Sequence, residues 1–355
     1  MRLRIFSTFL LTSCLFSSLH AQIGPDLSQL SFKVLSGDYP AVHSIIISSK
    51  GKISFQQYFN GYSADSLHDS RSSFKSVASL LIGIAVDKGF IKTIDQPIYT
   101  FFPGNKAFIT APLRRKITIR HLLEMRSGLD CDEWSDNGKD CESEMEKSSN
   151  WVKYSLSLPM NSAPGKKWSY TSCNTMILSG IIAQASGIGV MEFAKRYLFD
   201  PLGIIRYRWT IDSAGNGMTA GSFYIRPEDM LKIGQLVSNK GYWEGKTLVS
   251  SKWIIESTVA GIPIPDNHSF MQTSRSTAAE PCQSYYGYSW YREKIKTAKW
   301  QYDAIFASGN GGQYIFIIKD LDLVVVFTQG NYGSWKAKQA FDILASYIIP
   351  VYRKN

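Results

Sequence analysis

Ser72 and Lys75 stand three residues apart at the head of the run SSFKSVASLLIG. On a helix that spacing puts them on one face. A serine hydroxyl is a poor nucleophile until a neighbour takes its proton. A lysine can do so where burial lowers its pKa, because desolvation disfavours the ammonium. At a first helical turn the serine's own N–H is unpaired and can face a developing oxyanion. The pair alone is weak, since a helix cap followed by a solvent lysine has the same spacing. Two further stretches add to it. Tyr170, in WSYTSCNTMILSG, precedes a buried helix; beside an ammonium its phenolate is favoured, and it can serve as a general base. Ala307–Gln313 (ASGNGGQ) leads into a strand, where glycines let backbone approach a substrate and supply a second oxyanion donor.

These groups need a frame. His43–Ser48 and Ile53–Phe59 flank a Lys-Gly turn and read as a hairpin. Phe74, Val77, Leu81, Ile84 and Ala85 fall at helical spacing, and Gly89 stops the run. Thr118 caps a helix that ends before Ser127-Gly128, and Asn174–Ala185 reads as a buried helix. Short helices are expected at 151–158, 191–197, 227–237 and 251–257. Gln313–Ile318 and Leu323–Thr328 are β-rich with a tight turn between, and their near-continuous apolarity implies that both faces are covered. A helix closes the chain over 334–347. Strands at both ends and helices between predict an α+β fold: an antiparallel sheet built from both chain ends, flanked by helices, with a helical region inserted.

The chain has 355 residues, 44% of them hydrophobic and 19% charged. That supports a sizeable core and argues against disorder. Arg2, Arg4, the apolar stretch Ile5–Leu19 and Ala21 read as an export leader over residues 1–21, for a periplasmic or secreted protein. A lipoprotein signal centred on Cys14 is the second reading. Without the leader, 37 basic residues face 29 acidic ones, a net +8. No basic run interleaved with aromatics points to nucleic acid, and no later segment is long and apolar enough to span a membrane. Cys131 and Cys141 bracket a polar, acidic loop and are expected to be bonded; Cys173 and Cys282 remain as a second pair by elimination. The acidic residues of that loop, Glu133 among them, read as solvated. No Gly-x-Ser-x-Gly, His-Glu-x-x-His, dinucleotide or P-loop pattern is present, so no metal or cofactor is expected.

Taken in order, Ser72-x-x-Lys75, Tyr170 and the glycine turn resemble the serine β-lactamase and penicillin-binding-protein superfamily, in its class C-like branch with the esterases and 6-aminohexanoate-oligomer hydrolases. The likeness extends to Ile119–Leu129, Pro164-Gly165, Asp200–Gly203, Tyr286–Trp290 and the terminal hairpin. It implies one hydrolase domain over 22–355, with an α/β part at 22–95 and 285–355 and a mainly helical part at 96–284. It implies Ser72 as acylated nucleophile, Lys75 as proton shuttle and Tyr170 as base. The oxyanion hole would be the N–H groups of Ser72 and Asn310, with Gly309 as the alternative donor. Ser172, Asn174, Gly311 and Gly312 would face the substrate, a small ester, amide or peptide. The chain departs from the branch at two points. Ser172 stands where class C enzymes carry the Asn of Tyr-x-Asn, with Asn174 two further on. No basic residue precedes Gly309, where a Lys-Thr-Gly strand would supply one. These departures favour ester or linear-amide hydrolysis over β-lactamase or D,D-peptidase action. A non-turnover acyl-trapping sensor is the third reading.

Overall fold

The computed structural model describes residues 26–135 and 138–353. The segment expected to be a leader, residues 1–21, and Asp136 lie outside the described residues. Eight strands form one antiparallel sheet. They are β1 Val42–Ser49, β2 Lys52–Tyr58, β3 Ile262–Pro263, β4 Tyr285–Tyr286, β5 Tyr291–Lys296, β6 Gln301–Gly309, β7 Gln313–Ile318 and β8 Leu323–Gln329. Their spatial order is β2-β1-β8-β7-β6-β5-β4-β3. The N-terminal hairpin therefore joins the last strand, in the register Ile45↔Phe327 and Ile47↔Val325. The sheet is built from both chain ends, as the sequence predicts. Its far edge is the exception: β3 comes from the span expected to be helical.

Alternation along the strands divides the core in two. Ile315, Ile317, Val324 and Val326 face the helical region and join Val77, Leu81 and Ile177 there. Tyr314, Phe316, Val325 and Phe327 face the other way, onto Phe341, Leu344 and Ile348 of the C-terminal helical run Trp335–Tyr352. Every residue of β7 and β8 is buried, which is why neither strand shows a polar face in the sequence.

Three helices position the site. Helix α1, Phe74–Asp87, is buried from Phe74 to Ala85 and follows directly from a 3₁₀ turn, Arg71–Ser73. Helix α2, Ser172–Ser186, starts at the N-cap Thr171, whose side chain accepts from the Cys173 N–H, and ends at Gly187 with φ +76°. Helix α3, Pro227–Ser238, lies on the sheet face of Ile315 and Val324, its Gly234 facing both side chains. Among the described residues no single helix is long and apolar enough to cross a membrane.

Cys131 and Cys141 are disulfide-bonded, with Cα atoms 6.1 Å apart. The second expected pair does not form. Cys173 is buried inside the helical region beside Met145, while Cys282 lies near the outer edge of the sheet; both are free.

Candidate active site

Ser72 sits in the 3₁₀ turn that feeds α1, so Lys75 lies one turn on, within the buried helix. Lys75 is only 2% exposed. Its Nζ donates to Ser72 Oγ at 2.9 Å and to the Ala220 carbonyl at 2.8 Å. Tyr170, buried at the entrance to α2, has its phenol beside both groups, and the Lys75 Nζ lies 5.0 Å from its ring centroid. Three groups from two distant stretches of chain thus meet at one point.

The electrostatics correct one expectation. Burial does push the Lys75 pKa down, but Tyr170, Glu142 and Glu133 together outweigh it, and the net shift is upward. Lys75 is therefore held as the ammonium. Burial lifts the Tyr170 phenol above its ordinary range; the Lys75 charge and the Ser72 hydroxyl offset only part of this, so the net shift is upward and the protonated phenol is the resting form. A phenolate beside this ammonium forms a net-neutral pair, which lowers the penalty of burying either charge.

Ser72 and Tyr170 line a cleft of about 500 Å³, together with Ser308, Gly309 and Asn310 among others, and Lys75 lies buried behind Ser72. Gly309 ends β6 and packs against the turn that carries Ser72. A Cβ there would lie 2.4 Å from the Ser70 carbonyl oxygen, so only glycine allows this approach. The Asn310 side chain accepts from the Gly333 N–H at 3.0 Å, tying the β6 end to the C-terminal segment.

Four residues expected at the substrate take other places. Gly311 and Gly312, at φ +86° and +98°, form the β6–β7 turn beneath Tyr332 and Gln329 and do not line the cleft. Ser172 and Asn174 are wholly buried, because the helix they open is enclosed in the core. The Asn174 Nδ2 donates to Met125 Sδ, and its Oδ1 has no partner. Ser172 is bonded instead to Glu133, through its N–H at 2.7 Å and its Oγ at 2.8 Å.

Glu133 was not expected here. It belongs to the acidic loop read as solvated, but that loop folds back and half-buries the residue in the cleft wall. Burial pushes its pKa up to about 7 against the pull of Lys75. Trp134 follows it and stacks on Tyr170, with centroids 4.9 Å apart and rings 21° from parallel. The one signal in the sequence is a Glu-Trp pair just inside a cystine bracket. A basic group was also missed. Lys338, from the C-terminal run, lines the cleft, donates to Thr273 Oγ1 and lies 5.1 Å from the Phe270 ring centroid. Burial lowers its pKa to about 8.

Comparison with known proteins agrees with this architecture. The Beta-lactamase family matches residues 40–347. A 6-aminohexanoate-dimer hydrolase from Paenarthrobacter ureafaciens is 23% identical over 219 residues, covering 58% of this chain. The match spans about half the length of that relative, 54%. Among solved structures, a Bacillus anthracis protein provisionally named a 6-aminohexanoate-dimer hydrolase superposes with a TM-score of 0.70 at 17% identity, covering 90% of this chain and 83% of that one. A penicillin-binding protein homologue from Pyrococcus abyssi gives 0.65 at 19% identity, covering 89% and 76%. These structural likenesses establish the α+β fold, a sheet of N- and C-terminal strands with a helical insert. The family match runs from the first strand into the closing helix, and on that ground the chain belongs to the Beta-lactamase family of serine hydrolases.

Proposed function

We propose that the protein hydrolyses an ester or linear amide through an acyl-enzyme on Ser72. The observation that carries this reading is the meeting at the cleft of Ser72, hydrogen-bonded by Lys75, with the Tyr170 phenol beside them. The Tyr170 phenolate, reached when the phenol gives up its proton beside the Lys75 ammonium, takes the Ser72 proton as Oγ attacks the carbonyl carbon. The Ser72 N–H and the N–H of Asn310 receive the oxyanion. Collapse breaks the bond to the leaving group, which takes the proton from Tyr170. Tyr170 then activates water, and its attack releases the acid and frees Ser72. Lys75 and Tyr170 titrate as a pair, so a bell-shaped rate profile reports both groups jointly.

The absence of a basic residue before Gly309, where Ser308 stands, favours esters and linear amides over β-lactams. The likeness to the Paenarthrobacter 6-aminohexanoate-dimer hydrolase supports the same class. Export is part of the proposal. It rests on the leader over residues 1–21, and the Cys131–Cys141 bond suits an oxidising compartment.

The test is turnover of a short-chain p-nitrophenyl ester, with a β-lactam and a linear amide in parallel. Steady release over many turnovers is expected for the ester, with Ser72→Ala slower by at least about 1,000-fold. A single stoichiometric burst would make the protein an acyl trap. Preference for the β-lactam would make it a β-lactamase. Equal turnover by Ser72→Ala would remove the nucleophile.

A further inference from the structure

Of the two half-buried carboxyls at the cleft, Glu133 and Glu142, neither has a task in the proposed mechanism, and Glu133 is the one bonded to the Tyr170 segment. Glu133 grips the entrance of α2 at three consecutive residues. Its N–H donates to the Tyr170 carbonyl at 2.8 Å. Its Oε1 accepts from the Ser172 N–H at 2.7 Å and from Thr171 Oγ1 at 3.2 Å, and its Oε2 accepts from Ser172 Oγ at 2.8 Å. Trp134, the next residue, covers the Tyr170 ring. The phenol is thus fixed in backbone and in ring by two adjacent residues of the cystine-closed loop.

A helix cap alone does not account for this. Thr171 already caps α2, with its Oγ1 accepting from the Cys173 N–H at 3.2 Å. A neutral side chain could have accepted the remaining donors, whereas withdrawing a carboxylate from water is costly unless it is paired and hydrogen-bonded, and this one lies in the field of the Lys75 ammonium. The titratable groups around Glu133 and Tyr170 are Lys75 from α1, Glu142 from the helix Cys141–Glu146, Cys173 from α2, and Tyr286 and Tyr291 from β4 and β5. Negative charge on Glu133 favours the Lys75 ammonium and disfavours the Tyr170 phenolate.

We propose that Glu133 is a positioning residue for the hydrolysis: through Ser172 and the Tyr170 backbone it holds the phenol over Ser72, and its charge sets how readily that phenol gives up its proton. The inference rests on the acyl-enzyme reading above. It goes beyond that reading by assigning base tuning to a loop residue outside the Ser72-x-x-Lys75 and Tyr170 motifs.

The experiment measures kcat, KM and the pH profile of p-nitrophenyl ester turnover for the wild type, Glu133→Gln, Glu133→Asp, Ser172→Ala and the Gln/Ala double variant. The rate at which a fluorophosphonate labels Ser72 is followed over the same pH range. Circular dichroism reports the folded fraction. In Glu133→Gln the acid limb should move to lower pH, because the charge that opposes the phenolate is gone. Its kcat should fall roughly ten-fold, with KM changed less than about two-fold. Glu133→Asp keeps the charge and loses reach, so kcat should fall with the limb in place. Ser172→Ala should lower kcat, and the double variant should lose less than the product of the two single losses. A limb that stays put in Glu133→Gln, or moves equally in Glu133→Asp, would overturn the proposal. So would a kcat loss no larger than the loss of folded protein. Ester turnover that Ser72→Ala abolishes establishes the hydrolase reading independently, so an unmoved limb then counts against Glu133 alone. A wild type that neither turns over ester nor labels at Ser72 brings down both.

Discussion

The two walls of the cleft are built by different means. The sheet wall is backbone. Ser308, Gly309 and Asn310 are placed by β6–β7 pairing, with Ser308↔Tyr314 and Gly309↔Gln313 in register. They rest on a sheet whose middle strands are buried on both faces. The helical-region wall is made of side chains. Glu133, Trp134 and Glu142 come from a loop and a six-residue helix tied by the Cys131–Cys141 bond. The charges differ as well: two carboxyls on the loop side, and Lys338 on the side of the C-terminal run. An oxyanion donor must not move as charge develops, which suits a strand end. A group that tunes a base acts through charge and hydrogen bonds, and a loop can supply both.

The contrast can be broken most severely on the sheet side. Gly309→Ala places a Cβ against the Ser70 carbonyl and the Arg71 side chain, forcing β6 away from the turn that carries Ser72. Ester kcat per folded molecule should fall about 100- to 1,000-fold, the scale of losing one oxyanion donor, with KM changed little and the folded fraction read by circular dichroism. Wild-type kcat in Gly309→Ala would show that the strand end does not serve the oxyanion. Loosening the loop should do less to the rate and more to stability. Replacing Cys131 and Cys141 with serine opens a short loop, and denaturant unfolding should show a loss of about 2–3 kcal/mol. Turnover should fall in step with weaker stacking of Trp134 on Tyr170, read as a change in tryptophan fluorescence. Unchanged kcat at full folding would separate the loop from the base.

The smallest effect is expected at Lys338. An ester with a carboxylate on its acyl chain should show a lower KM than its neutral analogue, and Lys338→Met should raise that KM several-fold, roughly the worth of one charged contact. Because burial holds the Lys338 pKa near 8, the preference for the charged ester should fade as pH rises through that value. Equal KM for both esters in wild type and variant would mean that Lys338 only packs on Phe270.

The same contrast separates what could be read in the sequence from what could not. The sheet wall was legible. Gln313–Ile318 and Leu323–Thr328 announce themselves by β-rich runs around a tight turn, and Ala307–Gln313 by its glycines. Ser72, Lys75 and Tyr170 were legible because each precedes or opens a helix whose burial shows in its composition. The loop wall was not. Glu133 reads as solvent-exposed among five nearby acids, and its burial depends on contacts with residues 170–172, far along the chain. Ser172 and Asn174 were placed at the substrate by resemblance. The cap at Thr171 turns both into an enclosed helix, and that same cap was the local clue. Lys338 was missed because its position in the cleft follows from how the C-terminal run packs across the sheet. Elimination paired Cys173 with Cys282 only because it ignored that one lies in the helical core and the other near the sheet edge.

The most direct measurement is the site of acylation. The protein is quenched during turnover of a slow ester, digested, and weighed peptide by peptide. The account predicts one acyl mass on the peptide holding Ser72, present in the wild type, accumulating in Tyr170→Phe where deacylation is slowed, and absent from Ser72→Ala. An adduct on another residue, with Ser72→Ala still turning over substrate, would contradict it.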